Sequence, residues 1–78
     1  MQIRLSRHAK RRIRLYRLPE DKIIELVQSQ PVRLGQHEVI TRVEGVALPV
    51  KIVYANEVDQ TVVITAYPLK SRKYENLL

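Results

Sequence analysis

Few side chains of this chain can move protons near neutral pH, because it contains two histidines and no cysteine. Without cysteine, thiolate nucleophiles, zinc knuckles and disulfides are excluded. Neither His8 nor His37 has a second histidine or a carboxylate at metal-ligand spacing, and no serine lies in a nucleophile elbow. The sequence therefore predicts no metal site and no cofactor, and leaves chemistry that His, Arg, Lys, Tyr and Thr can perform.

That set of side chains suits the cleavage of RNA through its own 2′-hydroxyl, which needs a base, an acid and cations for the phosphorane charge. His8 is the candidate base or acid, and Arg12, four residues later, would lie beside it on a helix. Tyr67 is the candidate proton donor or stacking platform for a base. Arg42 and Lys51 are further candidates for holding the phosphate. The alternatives are structural: a packed histidine, a solvated arginine and a core tyrosine.

The formal net charge of +6 is concentrated near the start of the chain. Residues 1–18 contain seven Lys and Arg residues and no acid. A cationic surface of this density attracts polyanions over roughly 8–10 Å in physiological salt, and nucleic acid is the commonest such partner. The predicted nucleic-acid contacts are Arg7, Arg11, Arg14, Arg42, Lys51, Thr65, Lys70 and Arg72. An acidic protein partner and a merely solvated basic surface are the alternatives.

Two helices are predicted to position these residues in the first part of the chain. Ser6 is a candidate N-cap, and an apolar stripe predicts a helix over about residues 7–17 with His8 and Arg12 on its flank. A second helix is expected from about Pro19 to the residue before Pro31. Residues 6–30 would thus form a helical hairpin.

Strand patterns follow the hairpin. Residues 37–43, 46–54 and 61–67 are rich in β-branched side chains, and Pro49 predicts a bulge or an edge within the second of these runs. We expect one α+β domain over residues 1–78, in which two helices cover one face of a three- to four-stranded antiparallel sheet at 31–68. Residues 1–5 would be a strand or arm, and residues 69–78 a basic tail.

The last strand is apolar on both sides, with Val62, Ile64 and Ala66 predicted on one and Val63 and Tyr67 on the other. A second apolar face predicts a homodimer or a groove covered by a partner, and half-exposed side chains are the alternative. No apolar run approaches 18 residues, and no apolar segment follows the basic N-terminus. We therefore expect no membrane association and a cytoplasmic location.

Several segments together resemble a small bacterial domain family of unknown function. The motifs are Ser-Arg-His-Ala-Lys-Arg-Arg at 6–12, a Pro-Glu-Asp-Lys-Ile-Ile helix, and Val-Val-Ile-Thr-Ala-Tyr-Pro at 62–68. The family pattern is a helix with His-Ala-x-x-Arg and a final strand with Thr-x-Tyr-Pro. The family is in turn similar, in size and order of elements, to BrnT-type and RelE/ParE-type toxins.

The resemblance implies a RelE-like fold and a metal-independent endoribonuclease toxin, or a relative of one, that acts on RNA. By motif it assigns His8 and Arg12 to the helix part of the site, and Thr65 and Tyr67 to the strand part. It also implies an acidic antitoxin as a partner, which the basic first segment would suit. The alternatives are a non-catalytic module that binds nucleic acid or an acidic protein, and a toxin-fold remnant that dimerises.

Overall fold

The computed structural model describes residues 2–70 of the chain. Two helices precede three consecutive strands, and a short strand precedes the helices, as the sequence patterns predict. The elements are β1 (Gln2–Leu5), α1 (Arg7–Leu15), α2 (Glu20–Gln28), β2 (Gly35–Thr41), β3 (Val50–Asn56) and β4 (Gln60–Pro68). The α+β class is confirmed.

The four strands form one sheet in the order β1-β4-β3-β2. β2, β3 and β4 are antiparallel to their neighbours, whereas β1 runs parallel to β4, with Gln2 opposite Gln60 and Leu5 opposite Val63. The prediction of an entirely antiparallel sheet is therefore wrong, because the sheet is mixed. A parallel pair needs a long crossover connection, and the two helices with β2 and β3 provide it.

The side chain of Ser6 caps the N-terminus of α1. The Ser6 hydroxyl accepts a hydrogen bond from the Ala9 N–H at 3.0 Å, which confirms the predicted N-cap. The helix ends at Leu15, two residues earlier than predicted, because Arg17 adopts a left-handed conformation with φ of 54°. The Leu18 N–H then donates to the Ile13 carbonyl at 2.9 Å, which closes the helix end.

The core lies between the two helices and one face of the sheet. On the helices, Ala9, Ile13, Ile23 and Val27 are buried. On β3 the buried side chains alternate along the sequence, as expected when only one face of a sheet meets the helices. The buried residues are Val50, Ile52 and Tyr54 on β3, and Val63 and Ala66 on β4.

A β-bulge interrupts the alternation in β4. Val53 pairs with Thr65 and Tyr54 pairs with Val63, so Ile64 has no partner on β3. The Ser6 hydroxyl donates to the Ile64 carbonyl at 2.9 Å, and the Ser6 N–H donates to the Val63 carbonyl at 2.9 Å. The turn between β1 and α1 thus satisfies the backbone of the bulge, whose extra residue reverses the facing of every later side chain in the strand.

The structure corrects two sequence predictions, one in β4 and one before β3. Val63 and Ala66 both face the core, although uninterrupted alternation placed them on opposite sides of the strand. The predicted irregularity at Pro49 is absent, because β3 begins at Val50 and Pro49 is fully buried just before it. Pro49 contributes through its carbonyl, which accepts a hydrogen bond from the Leu69 N–H at 2.8 Å.

Each helix in residues 2–70 contains nine residues. Neither is long and apolar enough to cross a membrane.

Candidate functional site

A groove between α1 and β4 contains the three residues predicted to be catalytic. His8, Arg12 and Tyr67 line it together with Tyr16 and Thr65, and its volume is about 270 Å³. Separation of His8 from Tyr67 without a shared cleft would have argued against a site here. The structure instead places them on opposite walls of one open groove.

The α1 wall is a single row of side chains on the helix surface. His8, Arg12 and Tyr16 are spaced by four residues, so that they lie one above another. His8 is exposed, whereas Arg12 and Tyr16 are half-buried. A guanidinium nitrogen of Arg12 donates a hydrogen bond of 3.5 Å to the Tyr16 hydroxyl. This contact holds the Arg12 cation in the groove, beside the histidine.

The β4 wall owes its orientation to the bulge. Val63 faces the core, and simple alternation would send Thr65 and Tyr67 to the same buried face under the helices. The unpaired Ile64 shifts the alternation by one residue, so Ala66 is buried and Thr65 and Tyr67 line the groove. Bulges commonly re-aim side chains next to active sites, and this one brings Tyr67 to face the His8 row.

A lysine lies opposite Tyr67 on the neighbouring strand. Lys51 of β3 is the register partner of Tyr67, and its ammonium nitrogen is 3.3 Å from a carboxylate oxygen of Glu38 on β2. The hydrogen bond and negative charge of Glu38 raise the pKa of Lys51, Tyr67 adds to the rise, and desolvation opposes it. Lys51 therefore carries a fixed positive charge next to the Tyr67 wall throughout the neutral range.

Replacement of Glu38 by glutamine is expected to lower the pKa of Lys51 toward its ordinary value of 10.5. Because the folded-state pKa is raised, the ion pair stabilises the fold below about pH 10.5, and this stabilisation is lost as the pH rises through the folded-state value. A side-chain NMR titration of Lys51 measures the change. Glu57→Gln is the matched control, since Glu57 accepts a hydrogen bond from Gln60 and forms no ion pair with a lysine among residues 2–70. Equal Lys51 titrations in both variants would contradict the pairing.

A second lysine lies at the Tyr16 end of the groove. The ammonium of Lys70 is 5.9 Å from the centre of the Tyr16 ring, at the outer limit of a cation–π contact. Lys70 therefore adds positive charge near the groove and lies over one face of the Tyr16 ring. Tyr67 consequently remains the better candidate for stacking on a base.

Other predicted contacts lie outside the groove. Arg7, Arg11 and Arg14 are exposed and do not line it. Arg42 lines a separate cavity of about 240 Å³ beside α2, and its guanidinium donates to the Ala47 carbonyl. Arg42 therefore does not line this groove, and its contact with nucleic acid stays a prediction. Arg72 lies outside the described residues.

Sequence reasoning missed two members of this arrangement. Tyr16 falls on the apolar stripe that predicts α1, and its four-residue spacing from Arg12 also places it in the groove row. Glu38 received no role, and its pairing with Lys51 depends on the register of β2 against β3. No spacing in the sequence indicates that register.

The groove chemistry can be stated from these contacts. It offers one imidazole, one phenol and one hydroxyl, with the Arg12 guanidinium inside and the Lys51 and Lys70 ammonium groups close by. These groups can accept a proton, donate a proton and stabilise a dianionic phosphorane. Among residues 2–70, no cluster of three or more His, Asp or Glu side chains could hold a metal ion.

Comparisons of the chain with protein-family models, with curated proteins and with solved structures gave no match.

Proposed function

We propose that the protein is a metal-independent endoribonuclease, related to the RelE- and BrnT-like toxins, that cleaves RNA through the 2′-hydroxyl of its substrate. The observation that carries the proposal is the shared groove, in which an exposed histidine and an arginine on α1 face a tyrosine on β4. The order of elements, with two helices before three antiparallel strands, agrees with the RelE-like fold that the motifs imply.

Three of the groove residues then each have one role in the reaction. His8 removes the proton of the 2′-hydroxyl, and the 2′ oxygen attacks the adjacent phosphorus. Arg12 stabilises the negative charge that develops on the phosphorane. The Tyr67 hydroxyl gives its proton to the departing 5′ oxygen, and the nearby Lys51 ammonium stabilises the phenolate. The products are a 2′,3′-cyclic phosphate and a free 5′-hydroxyl, and the proton taken up by His8 returns to the Tyr67 phenolate through solvent before the next turnover.

An RNA with one deoxynucleotide tests this reaction. The purified chain, in EDTA, is incubated with an end-labelled RNA and with the same RNA carrying a single 2′-deoxynucleotide at the cleaved position. Cleavage of the first alone, with a cyclic phosphate terminus, is expected because the substrate supplies the nucleophile. Cleavage at the deoxy position, or products with a 5′-phosphate, would contradict the mechanism. A His8→Ala chain purified identically controls for contaminating ribonuclease.

A non-catalytic binding module is the second candidate, and the exposed cations of α1 outside the groove favour it. A module needs only the cations, so His8→Ala would leave its affinity for nucleic acid intact. Loss of binding from that substitution alone would count against a module.

Proposed partners of the toxin are RNA and an acidic antitoxin. A homodimer through the open sheet face is a further proposal, and light scattering at increasing concentration tests it.

A further inference from the structure

The outer face of α1 is a patch of cations separate from the groove. Arg7, Lys10, Arg11 and Arg14 are all exposed, and of the described residues these four line a shallow cleft of about 300 Å³. At 100° per residue they occupy an arc of roughly 100°, on the side of the helix opposite the buried Ala9 and Ile13. We call these four residues the outer basic face.

The charges of the outer basic face have no partners within residues 2–70. The ion pairs there join Lys22 to Glu25 and Glu44, and Lys51 to Glu38. The first turn of α1 has no acidic residue. Like charges three and four residues apart destabilise a helix, and Arg7 lies at its positive end. The fold gains nothing from this crowding, because the side chains point to solvent.

The outer basic face continues around the helix to the groove. Arg11 is about 60° from His8 on the helix surface, and only Leu15 lies between them. Leu15 is 63% exposed. A strand bound along the outer basic face would therefore reach the His8 row without leaving α1.

We propose that the outer basic face is a second binding site, which holds the phosphates of the RNA segment flanking the bond to be cleaved. A phosphate backbone suits the site better than an acidic protein, because protein interfaces need buried apolar anchors and this face has only Leu15 at its margin. The nine residues of α1 span about 14 Å, or roughly four nucleotides of one strand. The position of the flanking segment rests on the proposed function, whereas the phosphate contacts do not.

Two variants with equal charge test the proposal by RNA binding. Both are made in the His8→Ala background, so that the RNA stays intact. The first carries Arg7→Gln, Arg11→Gln and Arg14→Gln, and the control carries Arg4→Gln, Lys22→Gln and Arg33→Gln. Each removes three cations from a chain of formal net charge +6, and circular dichroism checks the fold. Fluorescence anisotropy with a labelled single-stranded RNA of about 20 nucleotides is measured at several salt concentrations.

Each phosphate contact on a single strand contributes about 0.7 to the slope of log affinity against log salt. The first variant should therefore lose about 2 from that slope and bind about 100-fold more weakly at 0.1 M salt. The control should change the slope by less than about 0.7, the contribution of one phosphate contact. Equal losses in both variants, or poly-glutamate competing as well as RNA of equal charge, would overturn the proposal.

Cleavage kinetics separate this proposal from the proposed function. With His8 restored, the first variant should lower kcat/KM for a long RNA and leave kcat/KM for a dinucleotide unchanged. If the chain cleaves neither substrate but the first variant still binds RNA more weakly, the result contradicts the ribonuclease and supports the phosphate site. Equal losses for long and short substrates would overturn the flanking site.

Discussion

Replacement of His8 by alanine is expected to lower the rate of RNA cleavage by about 100- to 10 000-fold, the range for removing a general base. No other described side chain of the groove can take the 2′ proton near neutral pH, since the remaining groups there are guanidinium, phenol and hydroxyl. Initial rates of cleavage of the end-labelled RNA by the wild-type and His8→Ala chains measure the loss.

The matched control is His37→Ala, which removes the other histidine of the chain. His37 lies on β2, two strands from β4, where its Nε2 contacts the Arg33 carbonyl at 2.8 Å and its ring lies 5.7 Å from that of Tyr54. Its loss should leave the cleavage rate within about twofold of wild type. A rate loss in the control as large as in His8→Ala would contradict the proposal that the groove is the active site.

Growth of a bacterial host links the purified activity to the proposed toxin. Induction of the wild-type chain should arrest growth with cleaved total RNA, and induction of His8→Ala should do neither. Normal growth and intact RNA with both chains would favour the binding module. Equal arrest with both chains would show that toxicity does not require the groove histidine.

Replacement of Ile52 by alanine is expected to cost about 2–5 kcal/mol of unfolding free energy. Ile52 is fully buried at the centre of the sheet, opposite Ala66, so truncation leaves a cavity that neighbouring backbone cannot fill. Each kcal/mol lowers the Tm of a domain of this size by about 4–8 °C, so a decrease of at least about 8 °C should appear in a thermal melt. Urea titration gives the free energy directly.

Ile40→Ala is the control for the core substitution, because it makes the same chemical change on the neighbouring strand. Ile40 is 42% exposed and faces away from the helices. The expected cost is below about 1 kcal/mol, since much of its surface is already in water. Equal losses of Tm in the two variants would mean that the apolar face opposite the helices is also covered, as a homodimer would require.

Local sequence patterns determined the parts of the site that lie on α1. The Ser6 cap sets where the helix begins, and the four-residue spacing then places His8 and Arg12 together on one flank. Both relations involve neighbours in the chain, and helix geometry alone converts them into contacts. The α+β class was predictable for the same reason, because the period of the apolar residues changes from helical to alternating after residue 31.

Only the tertiary structure determined the β4 wall of the groove, which faces His8 and Arg12. The direction of β1, the bulge at Ile64 and the pairing of Lys51 with Glu38 all depend on contacts between distant segments. Alternation identifies a strand but carries no information about its partner's direction or about an extra residue, and one residue reverses the facing of all that follow. Tyr67 therefore reaches the groove only because the turn at Ser6 satisfies the backbone of a bulge 58 residues later.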